Sequence, residues 1–190
     1  TIHDINLKLI GKIQLKNILM AILAANQSNI KIAKILKIIP KIKSVEGRFQ
    51  KIGKLKNQSK VILDYAHTPG ALKTCLLNLR EQFPNNKISL LFGCGGNRDQ
   101  NKRSKMGKIA DNLSDKIYLT DDNPRFENPK KIRKDIKKGI KKQKVIEISS
   151  RAKAIKEAIK NLTVGEILLI AGKGHEKTQD IGKQKIYFSD

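Results

Sequence analysis

The sequence predicts an α/β fold: an open, mostly parallel, doubly wound sheet preceded by a short helical segment of another domain. Two observations lead to this class. From residue 60 onward, short apolar runs alternate with amphipathic stretches of helical period, which is the pattern of βαβ units with parallel strands. Polar or glycine-rich turns follow five of these runs, at the edge where such sheets bind ligands. The predicted topology is Rossmann-like.

The N-terminal part of the chain predicts two helices. Apolar residues recur at spacings of three and four over residues 15–23 and again over 32–39, as on one face of a helix. Asn26–Asn29 separates the two patterns, and Pro40 ends the second. We expect a domain boundary near residues 40–45, followed by a linker or irregular hairpin up to residue 60.

The remaining elements follow in regular order. We expect strands over residues 61–63, 88–92, 117–120, 145–148, 166–170 and 186–188. We expect helices over residues 69–83, 103–113, 129–142 and 152–161. Pro69 and Pro129 stand at helix starts, where the missing N–H of proline costs little.

Composition indicates a folded, intracellular domain. Of the 190 residues 39% are hydrophobic and 30% charged, which is typical of a globular chain. Apolar runs stay short of the ~20 residues that span a bilayer, and no secretory leader is recognisable, so membrane contact and export are not expected. Cys75 and Cys94 lie in unlike contexts, which argues against a disulfide and favours a cytoplasmic location.

The formal charge of +23 raises the question of nucleic-acid binding. Of the 40 basic residues 33 are lysines, and they are spread along the chain rather than clustered. Aromatic residues make up 4%, so platforms for base stacking are scarce. We expect no nucleic-acid partner and keep a basic nucleic-acid-binding module as an alternative.

The most informative motif is Asp121–Arg125, Asp-Asp-Asn-Pro-Arg, directly after a predicted strand. It places a guanidinium, carboxylates and an amide on one turn, which suits a ligand that carries both charge signs, such as an amino acid. The alternative is a turn that starts the next helix, since Asp, Asn and Pro all favour turns.

Other polar turns carry further candidates. Gly93–Arg98 matches neither the dinucleotide-binding nor the P-loop spacing, but its glycines allow backbone to approach a ligand. Gly172–Glu176 combines ammonium, imidazole and carboxylate groups. His67 and His175 lack metal-site spacing, so we expect no metal site, and Cys94 is better explained by small size than as a nucleophile. We expect five turns to meet at the carboxyl edge of the sheet: in chain order, Asp64–His67, Gly93–Arg98, Asp121–Arg125, Ser149–Arg151 and Ala171–Glu176.

Taken together, these motifs resemble the Mur ligase family, ATP-dependent amide-forming enzymes of peptidoglycan synthesis. The motifs that carry the resemblance are Glu46–Arg48, Asp64–Pro69, Gly93–Asp99, Lys102–Arg103, Met106–Gly107, Thr120–Arg125 and Ala171–Glu176. Asp122–Arg125 is similar to the members that add meso-diaminopimelate to UDP-N-acetylmuramoyl-L-alanyl-D-glutamate. Lysine-adding relatives usually differ there, and a ligase for another amino acid such as lysine remains an alternative.

The resemblance implies roles for named residues. The residues implied to bind diaminopimelate are Arg98, Asp122, Asn123, Arg125, Gly172 and Glu176. The residues implied to contact ATP are Asn17, Arg48, Asp64, Tyr65 and His67. ATP would phosphorylate the D-glutamate carboxylate, and the diaminopimelate amine would then attack the acyl phosphate. No residue of this chain is expected to act as a covalent catalyst, and Mg²⁺ ligands are expected mainly outside it.

The resemblance also implies a domain organisation. Residues 1–42 would be the last part of a central ATPase domain, and residues 43–190 the C-terminal, amino-acid-binding domain without its final helix. The P-loop and the modified lysine of the central domain do not occur in this sequence, so we expect no ligase activity from these residues alone. The full-length enzyme is expected to be a monomer that handles small-molecule substrates.

Overall fold

The structure, a computed structural model, describes residues 5, 7, 9–142 and 145–190. Within these residues, six strands form the central sheet in the order β1-β2-β6-β3-β4-β5. The strands are β1 (Gln50–Lys54), β2 (Lys60–Asp64), β3 (Ile88–Phe92), β4 (Lys116–Leu119), β5 (Val145–Glu147) and β6 (Ile167–Ala171). All neighbouring pairs are parallel except β1 with β2, which confirms the predicted mostly parallel sheet.

Helices cover both faces of this sheet. The helices are α1 (Lys12–Gln27), α2 (Ile32–Ile38), α3 (Pro69–Gln82), α4 (Asn101–Leu113), α5 (Pro129–Lys137) and α6 (Arg151–Lys160), with a 3₁₀ turn at Ile39–Lys41. Side chains of α3, α4 and α5 share one buried cluster with the sheet, and α6 packs into a second cluster on the opposite face. The fold is therefore doubly wound, as predicted.

Alternation along the strands explains these two clusters. In β2, Ile62 faces the α3–α5 side, whereas Val61 and Leu63 face α6. Because successive strand side chains point to opposite faces, a strand that is apolar throughout is buried on both sides. In β3, which is apolar except for Ser89, all five residues are buried, as expected for an inner strand of a parallel sheet.

Local signals fix the helix starts. The side chains of Thr68, Asn128 and Ser150 accept hydrogen bonds from backbone N–H groups in the first turns of α3, α5 and α6, which satisfies donors that the helix leaves unpaired. Helix α5 ends at Lys137, earlier than the predicted residue 142. Just after this end, the backbone at Gly139 packs closely against α4, since a Cβ there would lie 1.9 Å from Ser104 O.

Two antiparallel hairpins differ from the predicted parallel pattern. Residues 51–60, left open as a linker or hairpin, form the β1–β2 hairpin with an irregularity between Lys51 and Gly53. A final strand was predicted at 186–188, and the structure has one at Gln184–Tyr187, outside the central sheet. Strand β8 (Gln184–Tyr187) pairs with β7 (Thr178–Ile181) in a separate two-stranded sheet. Gly182, with φ 60°, opens the two-residue loop that reverses the chain.

The N-terminal helices form a cluster of their own. Ile18, Ile35 and Ile39 pack together, apart from the two clusters that flank the sheet. Several large apolar side chains of α1 and α2 remain exposed, among them Leu19 at 56% and Met20 at 66%. Within the described part of the chain, no helix combines the length and apolar character that crossing a bilayer requires.

Candidate ligand-binding crevice

A crevice of about 590 Å³ lies at the carboxyl edge of the sheet. It is formed by the turns that follow β2, β3, β4 and β6, which are neighbours among the parallel strands. Its lining residues are Tyr65, His67, Thr68, Pro69, Gly93, Cys94, Gly95, Arg98, Asp99, Lys102, Asp122, Asn123, Arg125, Gly172 and Glu176. Four turns that are far apart in sequence therefore meet at one site.

The structure brings most of the predicted site residues together here. All six residues that the resemblance links to diaminopimelate line the crevice, and so do Tyr65 and His67. The other three, Asn17, Arg48 and Asp64, line a separate smaller cavity of about 270 Å³. The residues linked to ATP are thus divided between two cavities.

The fourth of the five turns does not join the crevice. Ser150 caps α6, and Arg151 is 1% exposed. The Arg151 guanidinium binds the Asp190 carboxylate at 2.5 Å and donates to Ala171 O at 3.0 Å. This turn follows β5 at the far edge of the sheet, so the expectation of five converging turns was wrong for this one.

Close backbone approach between the turns depends on glycine. A Cβ at Gly96 would lie 2.0 Å from Pro124 O, so the turn after β3 rests directly on the turn after β4. Gly172 has φ 119°, and a Cβ there would lie 2.8 Å from Asp122 Oδ2. Side chains at these positions would separate the turns or strain the backbone, which is why the crevice walls contain glycine.

The turn after β4 is held rigidly. Asp122 Oδ1 accepts from Asn123 N at 2.7 Å. Arg125 adopts φ 51°, and its backbone N–H donates to Asp180 O at 3.0 Å. Its Nη1 donates to Gly96 O at 2.9 Å, which leaves other guanidinium N–H groups for a ligand. Arg98 is exposed at the same crevice.

The two aspartates of the turn after β4, Asp121 and Asp122, have different roles. Asp121 forms an ion pair with the buried Arg133, and burial raises the pKa of Asp121 above its ordinary value despite that partner. Arg133 also binds Glu147 at 2.8 Å, so this network joins β4, α5 and β5. Asp122 alone of the two faces the crevice.

The ammonium of the turn after β6 does not face the crevice, contrary to the sequence-based interpretation. Lys173 is fully buried. Its Nζ donates to Asn123 Oδ1 at 3.0 Å, to Glu176 Oε2 at 3.0 Å and to Thr178 O at 2.6 Å. The turn thus offers Glu176 to a ligand and keeps its lysine inside.

Glu176 is kept ionised by its surroundings. Burial alone would raise the pKa of Glu176, but hydrogen bonds from Lys173, Asn123 and Tyr65 together hold it below its ordinary value. A carboxylate in this state pairs well with a ligand ammonium group.

Aromatic rings and a guanidinium form the wall towards the second cavity. The Tyr65 ring lies 4.5 Å from the His67 ring and 5.2 Å from the His175 ring, centroid to centroid. The guanidinium carbon of Arg48 lies 4.6 Å from the Tyr65 centroid, a cation–π distance. This cluster links the two cavities and offers flat surfaces to a ring system.

Asp64 anchors the backbone between these cavities. Its Oδ2 accepts from Phe49 N and its Oδ1 from Ala66 N, both at 2.7 Å. The carboxylate therefore ties the segment before β1 to the turn after β2.

Neither cysteine has the character of a nucleophile. Both thiols are free and buried. Burial is the main cause that raises the pKa of Cys94 to about 12, and its Sγ lies 3.7 Å from Met106 Sδ. A thiol in this state stays protonated at neutral pH.

No metal centre can be assembled from the described residues. No group of three or more His, Cys, Asp or Glu side chains there is placed to hold an ion. The polar side chains that line the crevice carry guanidinium, ammonium, imidazole, hydroxyl, amide and carboxylate groups.

Sequence reasoning placed three further residues in motifs but assigned them no role in the crevice. Thr68, Asp99 and Lys102 line it, and Lys102 Nζ donates to His67 O at 2.9 Å. Strand β7 was also missed, although it supports the Asp122–Arg125 turn: Gln179 Nε2 donates to Asp122 O at 2.5 Å. The Gly182–Lys183 pair is a hairpin signal that could have revealed β7.

Comparisons with known proteins agree with this geometry. A family model described as "Mur ligase, glutamate ligase domain" matches residues 47–174. The UDP-N-acetylmuramoyl-L-alanyl-D-glutamate–2,6-diaminopimelate ligase of Rickettsia bellii (strain RML369-C) is 44% identical over 189 residues, covering 99% of this chain and 39% of that protein.

Solved structures give the same picture. A structure of UDP-N-acetylmuramoyl-L-alanyl-D-glutamate–2,6-diaminopimelate ligase matches with a TM-score of 0.75 and 35% identity, over 97% of this chain and 38% of that one. Folylpolyglutamate synthase of Mycobacterium tuberculosis, solved with ADP and AMPPCP, shares the fold with a TM-score of 0.67 and 16% identity, over 89% and 39%. The chain spans about two fifths of the length of these relatives.

Proposed function

The chain belongs to the Mur ligase family, and from this premise we propose that it is the amino-acid-binding part of an ATP-dependent ligase. The proposed enzyme adds meso-diaminopimelate to UDP-N-acetylmuramoyl-L-alanyl-D-glutamate in peptidoglycan synthesis. The 44% identical relative from R. bellii is named for this pair of substrates. We propose a cytoplasmic location and a monomeric full-length enzyme.

One observation carries the proposal: Arg98, Arg125, Asn123 and Glu176 line the same crevice. Guanidinium and amide N–H groups bind carboxylates, and a carboxylate binds ammonium. Diaminopimelate carries a carboxylate and an ammonium at each end, so it matches this set. An analogue without one of these groups would leave a buried polar partner unpaired, which is costly.

The same residues support a positioning role in the reaction. In the proposed reaction, ATP phosphorylates the D-glutamate carboxylate, and the amine of diaminopimelate attacks the acyl phosphate with loss of phosphate and a proton. The crevice contributes by holding the amine donor in place and by providing positive charge. No covalent catalyst in this chain is invoked.

We propose that ATP lies against the Tyr65 side of the crevice. Arg48 stacked on Tyr65, with His67 alongside, provides a cation and flat surfaces for a nucleotide. Asn17 and Asp64 line the adjoining cavity. ATP would be accompanied by Mg²⁺, and since the described residues contain no fitting ligand group, we assign its ligands to protein outside them.

We further propose that residues 1–42 belong to a neighbouring domain and residues 43–190 to the amino-acid-binding domain. The separate apolar cluster of α1 and α2 supports this division.

The proposed function is tested with the complete gene product. Purified protein is incubated with ATP, the UDP-linked dipeptide substrate and either meso-diaminopimelate or L-lysine, and the nucleotide product is resolved by mass. We expect product with diaminopimelate and at least about tenfold lower kcat/KM with lysine, as expected when buried polar partners stay unpaired. Equal or better use of lysine would contradict the assignment.

A further inference from the structure

Lys173 is a buried charge that does not reach the proposed ligand. Its side chain is fully buried, and a lysine in such a place must be paired. An ammonium has three N–H donors, and Nζ has three acceptors: Asn123 Oδ1, Glu176 Oε2 and Thr178 O. All donors are therefore used within the protein.

The first consequence concerns the side-chain amide of Asn123. Its Oδ1 accepts from Lys173 Nζ at 3.0 Å and from Asp180 N at 3.1 Å. Both partners are pure donors, so the atom facing them must be the amide oxygen. The Nδ2 group then points to Glu176, to which it donates at 3.0 Å. What Asn123 has left for a ligand is its second N–H.

The second consequence concerns Glu176. Lys173 and Asn123 both bind its Oε2 at 3.0 Å. Its Oε1 accepts from neither of them, so it has lone pairs to offer a cation in the crevice. Lys173 thus fixes two neighbouring crevice residues in complementary states, one as a donor and one as an acceptor.

We propose that Lys173 is a positioning residue that, through Asn123 and Glu176, matches the crevice to the distal amino-acid end of diaminopimelate. The Asn123 N–H meets the distal carboxylate, and Glu176 meets the distal ammonium. Free L-lysine has the distal ammonium but not the distal carboxylate, so it leaves the second side-chain N–H of Asn123 without a partner. Lys173 thereby contributes to amino-acid selection without touching the ligand, a role that rests on the proposed function.

A purely structural role makes a different prediction. Lys173 also binds Thr178 O at the start of β7, so its loss lowers stability under either view. Only the positioning role predicts that the preference for diaminopimelate over lysine changes as well. Selectivity, rather than stability, is therefore the decisive readout.

The test is Lys173→Met in the complete gene product, with Lys177→Met, an exposed lysine four residues on, as the matched control. For Lys173→Met we expect KM for diaminopimelate to rise about tenfold, the scale of one lost hydrogen bond to a charged group. The ratio of kcat/KM for diaminopimelate over lysine should fall similarly. The KM of Lys173→Met for ATP should stay at the wild-type value. The control Lys177→Met should keep wild-type KM values and wild-type selectivity.

Two results would overturn the inference. The first is a lowered Tm with unchanged KM and unchanged selectivity. The second comes from the wild-type protein and so applies even if the variant does not fold. In protein labelled with ¹⁵N, the resonance of the Asn123 side-chain amide should shift when diaminopimelate is added but not when lysine is added. A resonance that diaminopimelate does not shift contradicts the proposal.

These outcomes separate the inference from the proposed function. If the wild-type enzyme joins diaminopimelate and Lys173→Met keeps the selectivity of the wild type, only the inference is overturned. A wild-type enzyme that does not join diaminopimelate would overturn both.

Discussion

At the residue scale, the crevice depends on how neighbouring polar residues divide their roles. Asp121 turns to Arg133 while Asp122 faces the crevice. The resemblance already implied this division, since it assigned Asp122 but not Asp121 to the site. The burial of Lys173 could not have been predicted from the sequence, because its partners Asn123, on the turn after β4, and Thr178, at the start of β7, are brought to it only by the tertiary fold.

Arg125 provides the sharpest residue-scale prediction. Arg125→Ala in the full-length protein removes a guanidinium that the proposal pairs with a ligand carboxylate, at a cost of about 1.5–3 kcal/mol. The KM for diaminopimelate should therefore rise roughly 10- to 100-fold, with the KM for ATP unchanged. Steady-state kinetics measure both values.

Lys108→Ala is the control, since it removes an equal charge from an exposed position on α4. An unchanged KM for diaminopimelate in Arg125→Ala would favour a ligase for a different amino acid.

At the element scale, the apolar strands of the parallel sheet were predictable, whereas the two antiparallel hairpins were not fully so. Predominantly apolar runs identify β3 and β6, both buried throughout. Strand β7, Thr-Gln-Asp-Ile, has no such run, and β8 is exposed along its length. Strand β7 is nonetheless the element that carries the backbone partner of Arg125, through Asp180.

Glu166 links two elements of the sheet and gives stability a pH dependence. Its carboxylate accepts from Ser89 of β3 and from Thr163 N at 2.9 Å. Burial opposes ionisation, but the hydrogen bonds from Ser89 and Thr163 hold the pKa of Glu166 below its ordinary value of 4.5. A lowered pKa in the folded state stabilises the fold above pH 4.5, and this contribution is lost as pH falls through the folded-state pKa.

Glu166→Gln should therefore lower the free energy of unfolding at pH 7 by about 1–3 kcal/mol. The difference from wild type should shrink as the pH falls below 4.5. Urea denaturation at pH 7, 5 and 4 measures this, with Glu46→Gln, an exposed glutamate, as the control. A difference that stays constant across this range would contradict the assigned role.

At the scale of the whole molecule, strand order explains which turns meet. The sequence predicts the strands of the central sheet but not that β6, the last of these six along the chain, inserts between β2 and β3. This insertion brings Gly172–Glu176 beside the turns after β2 and β3 and leaves the turn after β5 at the far edge. Such non-local pairing is decided by packing of the complete chain and not by any local pattern.

The apolar surface of α1 and α2 gives a prediction about association. Leu19, Met20 and Leu23 are each more than half exposed, and apolar patches of this kind drive contacts between molecules. Residues 1–190 should therefore self-associate, whereas residues 43–190 should remain monomeric. Size-exclusion chromatography with light scattering measures both, after circular dichroism has confirmed folding.

A Leu19→Lys/Leu23→Lys variant of residues 1–190 serves as the control and should also be monomeric. Equal association of the long and short chains would contradict this interpretation of the N-terminal helices.

The central claim is that diaminopimelate binds in the crevice between the turns after β3, β4 and β6. The most direct measurement is a crystal structure of the full-length protein with meso-diaminopimelate bound. We predict one ligand carboxylate within hydrogen-bonding distance, about 2.7–3.2 Å, of Arg125 and Asn123, and an ammonium equally close to Glu176. Diaminopimelate bound elsewhere, with these three side chains free of it, would contradict the account.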